Sequence, residues 1–190
     1  MITYVQGNLF ESSAQVLTNA VNCVGIMGKG IALEFKKRYP AMFCEYVARC
    51  TAGQMKMGEP WLWEDDDVQI LNFPTKWHWR TPSSLEDIEA GLRWLALNYG
   101  ELGIYTIAMP ALGCGNGGLS WNEVQPLMEK HLGSIPDLEV FVYPDRAGAS
   151  LAITGDDHLT RQETGKFDWS ASPTTEQTLF GEFGAHEVTP

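Results

Sequence analysis

The stretch Gly25-Ile26-Met27-Gly28-Lys29-Gly30-Ile31-Ala32 decides the fold of this chain, because it joins an apolar, strand-like run to a helical pattern. A second glycine-rich loop in the same setting, Gly113-Cys114-Gly115-Asn116-Gly117-Gly118, occurs later in the sequence. Such loops bring several backbone N–H groups close to a phosphate. Two of them in one small domain favour a site that grips a diphosphate from both sides, such as that of a nucleotide sugar.

Strand-like and helical patterns alternate around these loops. Apolar runs predict strands at 3–6, 15–21, 61–64, 68–73, 104–109 and 138–143. Helical spacing predicts helices at 30–39, 41–51, 85–99 and 121–132, the third of them capped by Ser83 or Ser84. We expect Pro74 to end the strand at 68–73. This alternation indicates an α/β domain with a mostly parallel central sheet.

The composition sets further limits on function. The chain has 190 residues and a formal net charge of −11, which argues against a general nucleic-acid coat protein but allows a local basic patch. No apolar run reaches the ~20 residues that a membrane span needs. The first residues lack the basic and apolar segments of a signal peptide. We therefore expect a cytoplasmic, monomeric protein without membrane contact.

The end of the chain differs in composition from the rest. Residues 151–190 carry seven acidic and two basic side chains, and their apolar residues follow neither the helical nor the strand period. We expect a folded domain at 1–146 and an acidic tail or linker, flexible by composition, at 147–190.

The cysteines and the glycine loops exclude several kinds of site. The four cysteines form no CxxC pair and have no histidine at ligand spacing, so we expect no metal and no cofactor. Lys29 is followed by glycine, which excludes a Walker A motif, and the second loop lacks the context of a dinucleotide fingerprint. Cys114 is either a nucleophile or, as we favour, a small residue beside phosphate.

Three asparagines are candidates for contacts to a nucleoside. Asn8 follows the first strand, where it either binds a base or ribose or forms a turn. Asn19 and Asn22 flank Val21 just before the first loop. Both either orient ribose hydroxyls or satisfy the loop backbone.

The segment Asn72-Phe73-Pro74-Thr75-Lys76-Trp77-His78-Trp79-Arg80 contains a candidate nucleophile, Lys76. Its aromatic neighbours favour partial desolvation, which makes the neutral amine more accessible. Such an amine can attack the anomeric carbon of a sugar, expel the linked group and open to a Schiff base. The alternative is an exposed loop lysine.

The four residues after Lys76 alternate aromatic rings with cationic or titratable side chains. Trp77, His78, Trp79 and Arg80 have the composition of a surface that stacks single-stranded bases and holds phosphate. The alternative is a tryptophan pair partly buried under the following helix.

These segments together resemble the macrodomain, the ADP-ribose-binding α/β/α fold, over residues 2–143. The resemblance rests on Gly7-Asn8-Leu9-Phe10, Asn19-Ala20-Val21-Asn22, the two glycine loops and their flanks. The Met-Gly-Lys-Gly form together with Asn-Phe-Pro-Thr-Lys is similar to the DarG branch, which removes ADP-ribose from thymine in DNA modified by the toxin DarT. The same pair of motifs is similar to the terminal ADP-ribose protein glycohydrolase.

The resemblance implies a three-layer α/β/α domain with a mixed, mostly parallel sheet, and a role for each motif. Lys76 matches the catalytic lysine of the branch, Asn8 and Leu9 match the adenine contacts, and Asn22 lies near the distal ribose. The diphosphate and distal ribose are implied to contact the two loops at Gly28, Lys29, Gly30, Ile31, Leu112, Gly113, Cys114, Gly115, Asn116, Gly117 and Gly118. A DarT-type toxin is implied as a partner.

One departure from the relatives bears on the substrate. The terminal protein glycohydrolase carries an aspartate in its second loop, whereas no acid occurs here between Gly113 and Ser120. This favours ADP-ribosylated single-stranded DNA over protein. A hydrolase of protein-linked or small-molecule ADP-ribose esters and a non-catalytic ADP-ribose reader remain as alternatives.

Overall fold

The computed structural model describes residues 1–144. Our prediction of an acidic tail at 147–190 lies outside the described residues. The strands are β1 (Ile2–Tyr4), β2 (Val16–Asn22), β3 (Trp61–Glu64), β4 (Gln69–Lys76), β5 (Thr106–Pro110) and β6 (Glu139–Tyr143). The helices are α1 (Gly30–Arg38), α2 (Pro40–Thr51), α3 (Leu85–Asn98) and α4 (Trp121–Leu132), and a short 3-10 turn covers Leu9–Glu11. Within residues 1–144, every helix is too short or too polar to cross a membrane.

The six strands form one mixed sheet in the order β1-β6-β5-β2-β4-β3. All neighbours pair in parallel except β3 and β4, which form an antiparallel hairpin. The predicted α/β architecture with a mostly parallel sheet is confirmed.

Helices cover both faces of the sheet, because successive strand residues point to opposite faces. On one face, Leu17, Val21 and Ile70 pack with Phe35, Met42 and Tyr46 of α1 and α2. On the other face, Val16, Leu71 and Phe73 pack with Ile88, Leu92 and Val124 of α3 and α4. The result is the three-layer arrangement that the resemblance implies.

The prediction that Pro74 ends its strand is wrong, because β4 continues to Lys76. The antiparallel neighbour β3 begins at Trp61, opposite Asn72, so β4 is paired on one side only beyond Asn72. There Pro74 pairs with Val21, and a shift in register before Asn22 absorbs the irregularity. A proline is tolerated in a strand at such an edge or bulge. Lys76 is therefore the last residue of a strand and not part of a loop.

Gly91 gives a test of the packing between α3 and the sheet. A Cβ atom at Gly91 would lie 2.3 Å from Cζ of Phe73, whose side chain is fully buried. We expect Gly91→Ala to lower the free energy of unfolding by about 1–3 kcal/mol through overpacking, partly offset by the higher helix propensity of alanine. Chemical denaturation measures the change.

Gly100→Ala is the matched control for this prediction. An added Cβ there meets no heavy atom within 4 Å, so we expect its stability to stay close to that of the unmodified chain. Equal stability of the Gly91→Ala and Gly100→Ala variants would contradict the close packing of α3 on Phe73.

Candidate active site

A cavity of about 660 Å³ opens at the carboxyl ends of β2, β4 and β5. The chain leaves β2 toward β4 on one side and leaves β5 toward β6 on the other, so the strand order reverses between β2 and β5. Ligands of open α/β sheets bind at such a switch point. Both glycine-rich loops start at this edge and line the cavity.

Asn22 organises the first glycine loop. Its side-chain oxygen accepts hydrogen bonds from the N–H groups of Val24 (3.0 Å) and Ile26 (3.4 Å), and its amide nitrogen donates to the Ile26 carbonyl. The hydroxyl of Tyr46, from α2, donates to the Asn22 carbonyl at 2.7 Å. Asn22 therefore satisfies the loop backbone while it also lines the cavity.

Close contacts between Gly113, Gly117 and Ser83 fix the second loop. A Cβ atom at Gly117 would lie 2.2 Å from the Gly113 carbonyl oxygen and 2.4 Å from Oγ of Ser83. The N–H group of Ser83 donates to the Gly117 carbonyl at 2.9 Å. Only glycine fits at position 117, and the segment that precedes α3 holds the loop in place.

The two loops approach each other at the start of α1. A Cβ atom at Gly30 would lie 2.9 Å from the side-chain nitrogen of Asn116, and Gly30 has a positive φ of 59°. The first N–H groups of a helix have no acceptor within the helix, so this end of α1 favours an anion. Gly30, Ile31 and Ala32 of this first turn line the cavity.

Lys76 supplies a buried amine to the cavity. The residue is 8% exposed, and Nζ donates to the carbonyl of Asn116 at 2.6 Å. None of the ion pairs among residues 1–144 involves Lys76. Burial lowers the pKa of Lys76 below the ordinary value for lysine. The alternative of an exposed loop lysine is thus wrong.

Aromatic and basic side chains form the rim of the cavity next to Lys76. The His78 and Trp79 rings stack at 5.4 Å, and the Arg80 guanidinium lies 4.5 Å from the Trp79 ring centre. Trp79 and Arg80 line the cavity, and Trp77 and Trp79 are 59% and 47% exposed. Both tryptophans are therefore exposed at the surface, and the stacking of a base on them stays a prediction.

Twelve of the sequence-predicted site residues line this one cavity. They are Asn22, Gly28, Lys29, Gly30, Ile31, Lys76, Trp79, Arg80, Gly113, Gly115, Asn116 and Gly117. Residues far apart in sequence thus come together at one edge of the sheet. Their roles toward a ligand stay predictions.

Asn19 lies outside the cavity lining. Its side chain is fully buried, and its amide nitrogen donates to the side-chain oxygen of Asn72 at 3.1 Å. The two asparagines are register partners on β2 and β4, so they bond across the strands under α1 and α2. Asn19 is thus a residue of the sheet interior, and its contact to a ribose stays a prediction.

Seven further candidates lie outside the cavity lining: Asn8, Leu9, Leu112, Cys114, Gly118, Trp77 and His78. Asn8 caps the 3-10 turn by accepting from the Phe10 N–H, and Leu9 is buried beneath it in the core. Leu112 is fully buried, and the Cys114 thiol contacts the Leu112 carbonyl at 3.6 Å. The structure shows the turn role that we weighed for Asn8, and its contact to a base or ribose stays a prediction.

Sequence reasoning missed part of the lining, namely Ala20, Val21, Ile26, Ala32, Thr75, Pro110 and Ala111. Most of these are small or apolar residues without a chemical signature. Ile26 is the informative omission, because it is 46% exposed at the mouth of the cavity. The position of Ile26 between Gly25 and Gly28, in a loop predicted to bind phosphate, is the signal that would have identified it as a lining residue.

A family model for the macro domain matches residues 18–128, more than half of the chain. The chain belongs to the macro domain family. Both glycine loops that carried the resemblance lie within the matched region.

The resemblance to DarG is confirmed by individual relatives. A DNA ADP-ribosyl glycohydrolase of Mycobacterium tuberculosis is 45% identical over 159 residues, which are 82% of this chain and 45% of that protein. The chain thus spans less than half the length of this relative. The macrodomain of Mycobacterium tuberculosis DarG superposes with a TM-score of 0.74 at 44% identity, covering 76% of this chain and 97% of that one.

A structure of Thermosipho africanus DarTG in complex with ADP-ribose also superposes with a TM-score of 0.74. It is 37% identical, and the match covers 77% of this chain and 42% of that one. This chain is thus similar to solved DarG macrodomains over about three quarters of its length.

The lowered pKa of Lys76 is directly measurable. Because burial disfavours the ammonium, the side chain should lose its proton at a lower pH than an ordinary lysine. NMR of lysine-labelled protein over a pH series follows the Cε resonance, and the Lys76→Arg variant assigns it. Titration of Lys76 in the ordinary lysine range would contradict the burial of its amine.

Proposed function

We propose that this domain removes ADP-ribose from thymine bases of single-stranded DNA, with Lys76 as the nucleophile. The observation that carries the proposal is the buried Lys76 amine, which faces the cavity formed by the two glycine loops. The proposal draws support from the 45% identity to a DNA ADP-ribosyl glycohydrolase.

The arrangement of the cavity suits ADP-ribose. Its diphosphate would lie along the cavity wall that the first turn of α1 and the second loop form, beside the close approach of Gly30 and Asn116. The distal ribose would then lie toward Asn22 and Lys76, which share the ends of the paired strands β2 and β4. The anomeric carbon would face the Lys76 amine.

The chemistry follows from a neutral amine at that position. Nζ of Lys76 forms a bond to the anomeric carbon while the bond from that carbon to the thymine nitrogen breaks. The thymine nitrogen keeps the bonding pair and takes up the proton that the lysine nitrogen loses. The sugar ring opens to a Schiff base, which water hydrolyses to release ADP-ribose and restore the amine.

Two features of the described residues favour DNA as the substrate. No acid stands in the second loop between Gly113 and Ser120, so Lys76 works without an adjacent carboxylate from that loop. Trp79 and Arg80 at the rim offer an aromatic ring and a cation to a nucleic-acid strand. A DarT-type toxin is the partner that we propose for producing this substrate, and the monomeric state and cytoplasmic location stay predictions.

Removal of the Lys76 amine tests the mechanism. We expect Lys76→Ala to abolish release of ADP-ribose from a thymine-modified oligonucleotide while ADP-ribose still binds in calorimetry. In the unmodified protein, borohydride should reduce the Schiff base to a stable amine, so that Lys76 gains the mass of ADP-ribose less one oxygen atom, which peptide mass spectrometry locates.

The matched control is Lys56→Ala, which removes an exposed lysine paired only with Glu59 at 3.7 Å. We expect that variant to release ADP-ribose and to form the borohydride adduct at the normal rate. Full turnover by Lys76→Ala, or an adduct on another residue, would exclude Lys76 as the nucleophile.

The rim gives a separate prediction. If a base of the strand stacks on Trp79, it contributes about 1–3 kcal/mol, so Trp79→Ala should lower kcat/KM for modified DNA by about tenfold. Leu97→Ala, which removes an exposed apolar side chain from α3, serves as control. An equal kcat/KM for the two variants would show that no base stacks on Trp79.

A further inference from the structure

The two helical layers of the domain carry opposite charge. The helices α1 and α2 hold four basic and two acidic side chains, and Lys29 and Lys56 flank them in sequence. The helices α3 and α4 on the other face hold two basic and five acidic side chains. Although the whole chain has a net negative charge, the α1–α2 layer therefore forms a positively charged face of the domain.

Aromatic rings hold several of these basic groups at the surface. Nζ of Lys36 lies 4.3 Å from the Phe43 ring centre, and the Arg38 guanidinium lies 4.2 Å from that of Phe10. Both basic residues are exposed. A cation–π contact restricts a long side chain while its charge still faces solvent. Lys36 and Arg38 are thus partly ordered before any ligand arrives.

This positive face is continuous with the cavity. Helix α1 begins at Gly30, which lines the cavity, and the exposed Lys29 precedes it. A nine-residue helix is about 13 Å long, so Lys36 and Arg38 lie within reach of a strand that leaves the cavity mouth. At the mouth of the cavity, Arg80 and Trp79 form a cation–π contact like those of Lys36 and Arg38.

We propose that the DNA flanking the modified thymine crosses the α1–α2 layer, with its phosphates beside Lys36 and Arg38. This rests on the proposed function and adds the path of the strand outside the cavity. Phosphates gain from contact with lysine and arginine by releasing counterions, whereas the acidic α3–α4 layer repels them. Lys37 contributes less, because it already pairs with Glu34 at 2.9 Å.

If Lys36 and Arg38 had a purely structural role, the salt dependence of the reaction would respond differently to their removal. If Lys36 and Arg38 only stabilise the layer through Phe43 and Phe10, their removal changes the melting temperature and leaves the salt dependence of the reaction unchanged. A phosphate contact changes the salt dependence, and it does so only for substrates that have flanking phosphates.

The test compares two double variants that each remove two positive charges. Lys36→Gln with Arg38→Gln acts on the proposed path, and Arg93→Gln with Lys130→Gln acts on the α3–α4 layer as the control. KM and kcat are measured over a salt series for an ADP-ribosylated oligonucleotide and for ADP-ribosylated thymidine, which lacks flanking phosphates.

For the oligonucleotide, we expect the slope of log(1/KM) against log[salt] to become less steep by about 1.4 in the first variant, which corresponds to two lost contacts. Its kcat, and its KM for ADP-ribosylated thymidine, should stay unchanged. The control variant should keep the slope of the unmodified protein.

The proposed path would be overturned by an unchanged salt slope in the first variant, or by an equal decrease of the slope in the control variant. Turnover by the unmodified protein would still support the proposed function in either case. Absence of turnover by the unmodified protein on all DNA substrates would contradict the proposed function. In that case, fluorescence anisotropy with unmodified single-stranded DNA tests the path alone, and equal affinity of both variants would overturn it.

Discussion

The hydrogen bond from the Lys76 amine to the Asn116 carbonyl is the interaction on which the site depends. It joins the end of β4 to the second glycine loop over 2.6 Å. The amine can reach that carbonyl because β4 continues through Pro74, and the carbonyl stands there because Gly113 and Gly117 pack against Ser83. One bond thus connects the strand that carries the nucleophile with the loop that would hold the diphosphate.

The Asn116 carbonyl, as the hydrogen-bond partner of the Lys76 amine, also affects the protonation of that amine. A carboxylate beside Lys76 would favour the ammonium, whereas a backbone carbonyl carries no full charge. Lys76 takes part in none of the ion pairs among residues 1–144, and burial lowers the pKa of its amine. A larger fraction of neutral amine is therefore present near neutral pH, which is what attack on an anomeric carbon requires.

The sequence was informative where a residue type has a strict backbone or spacing requirement. The glycine loops, the alternation of strands and helices, and a cap on α3 by Ser83 or Ser84 could all be predicted, since each depends on local chemistry, and Ser84 is the cap. Pro74 was misjudged because tolerance of a proline depends on how far the neighbouring strand β3 extends. The hydrogen bond between Asn19 and Asn72 could not be predicted for a related reason, because only the register of β2 and β4 brings the two side chains together.

The central claim is that the amine of Lys76 acts on an N-linked sugar of DNA and not on an ester of protein. It is tested most directly by the rate of ADP-ribose release from two substrates that share the sugar, a thymine-modified single-stranded oligonucleotide and a glutamate-modified peptide. This account predicts rapid release from the oligonucleotide and little from the peptide. Faster release from the peptide would contradict it.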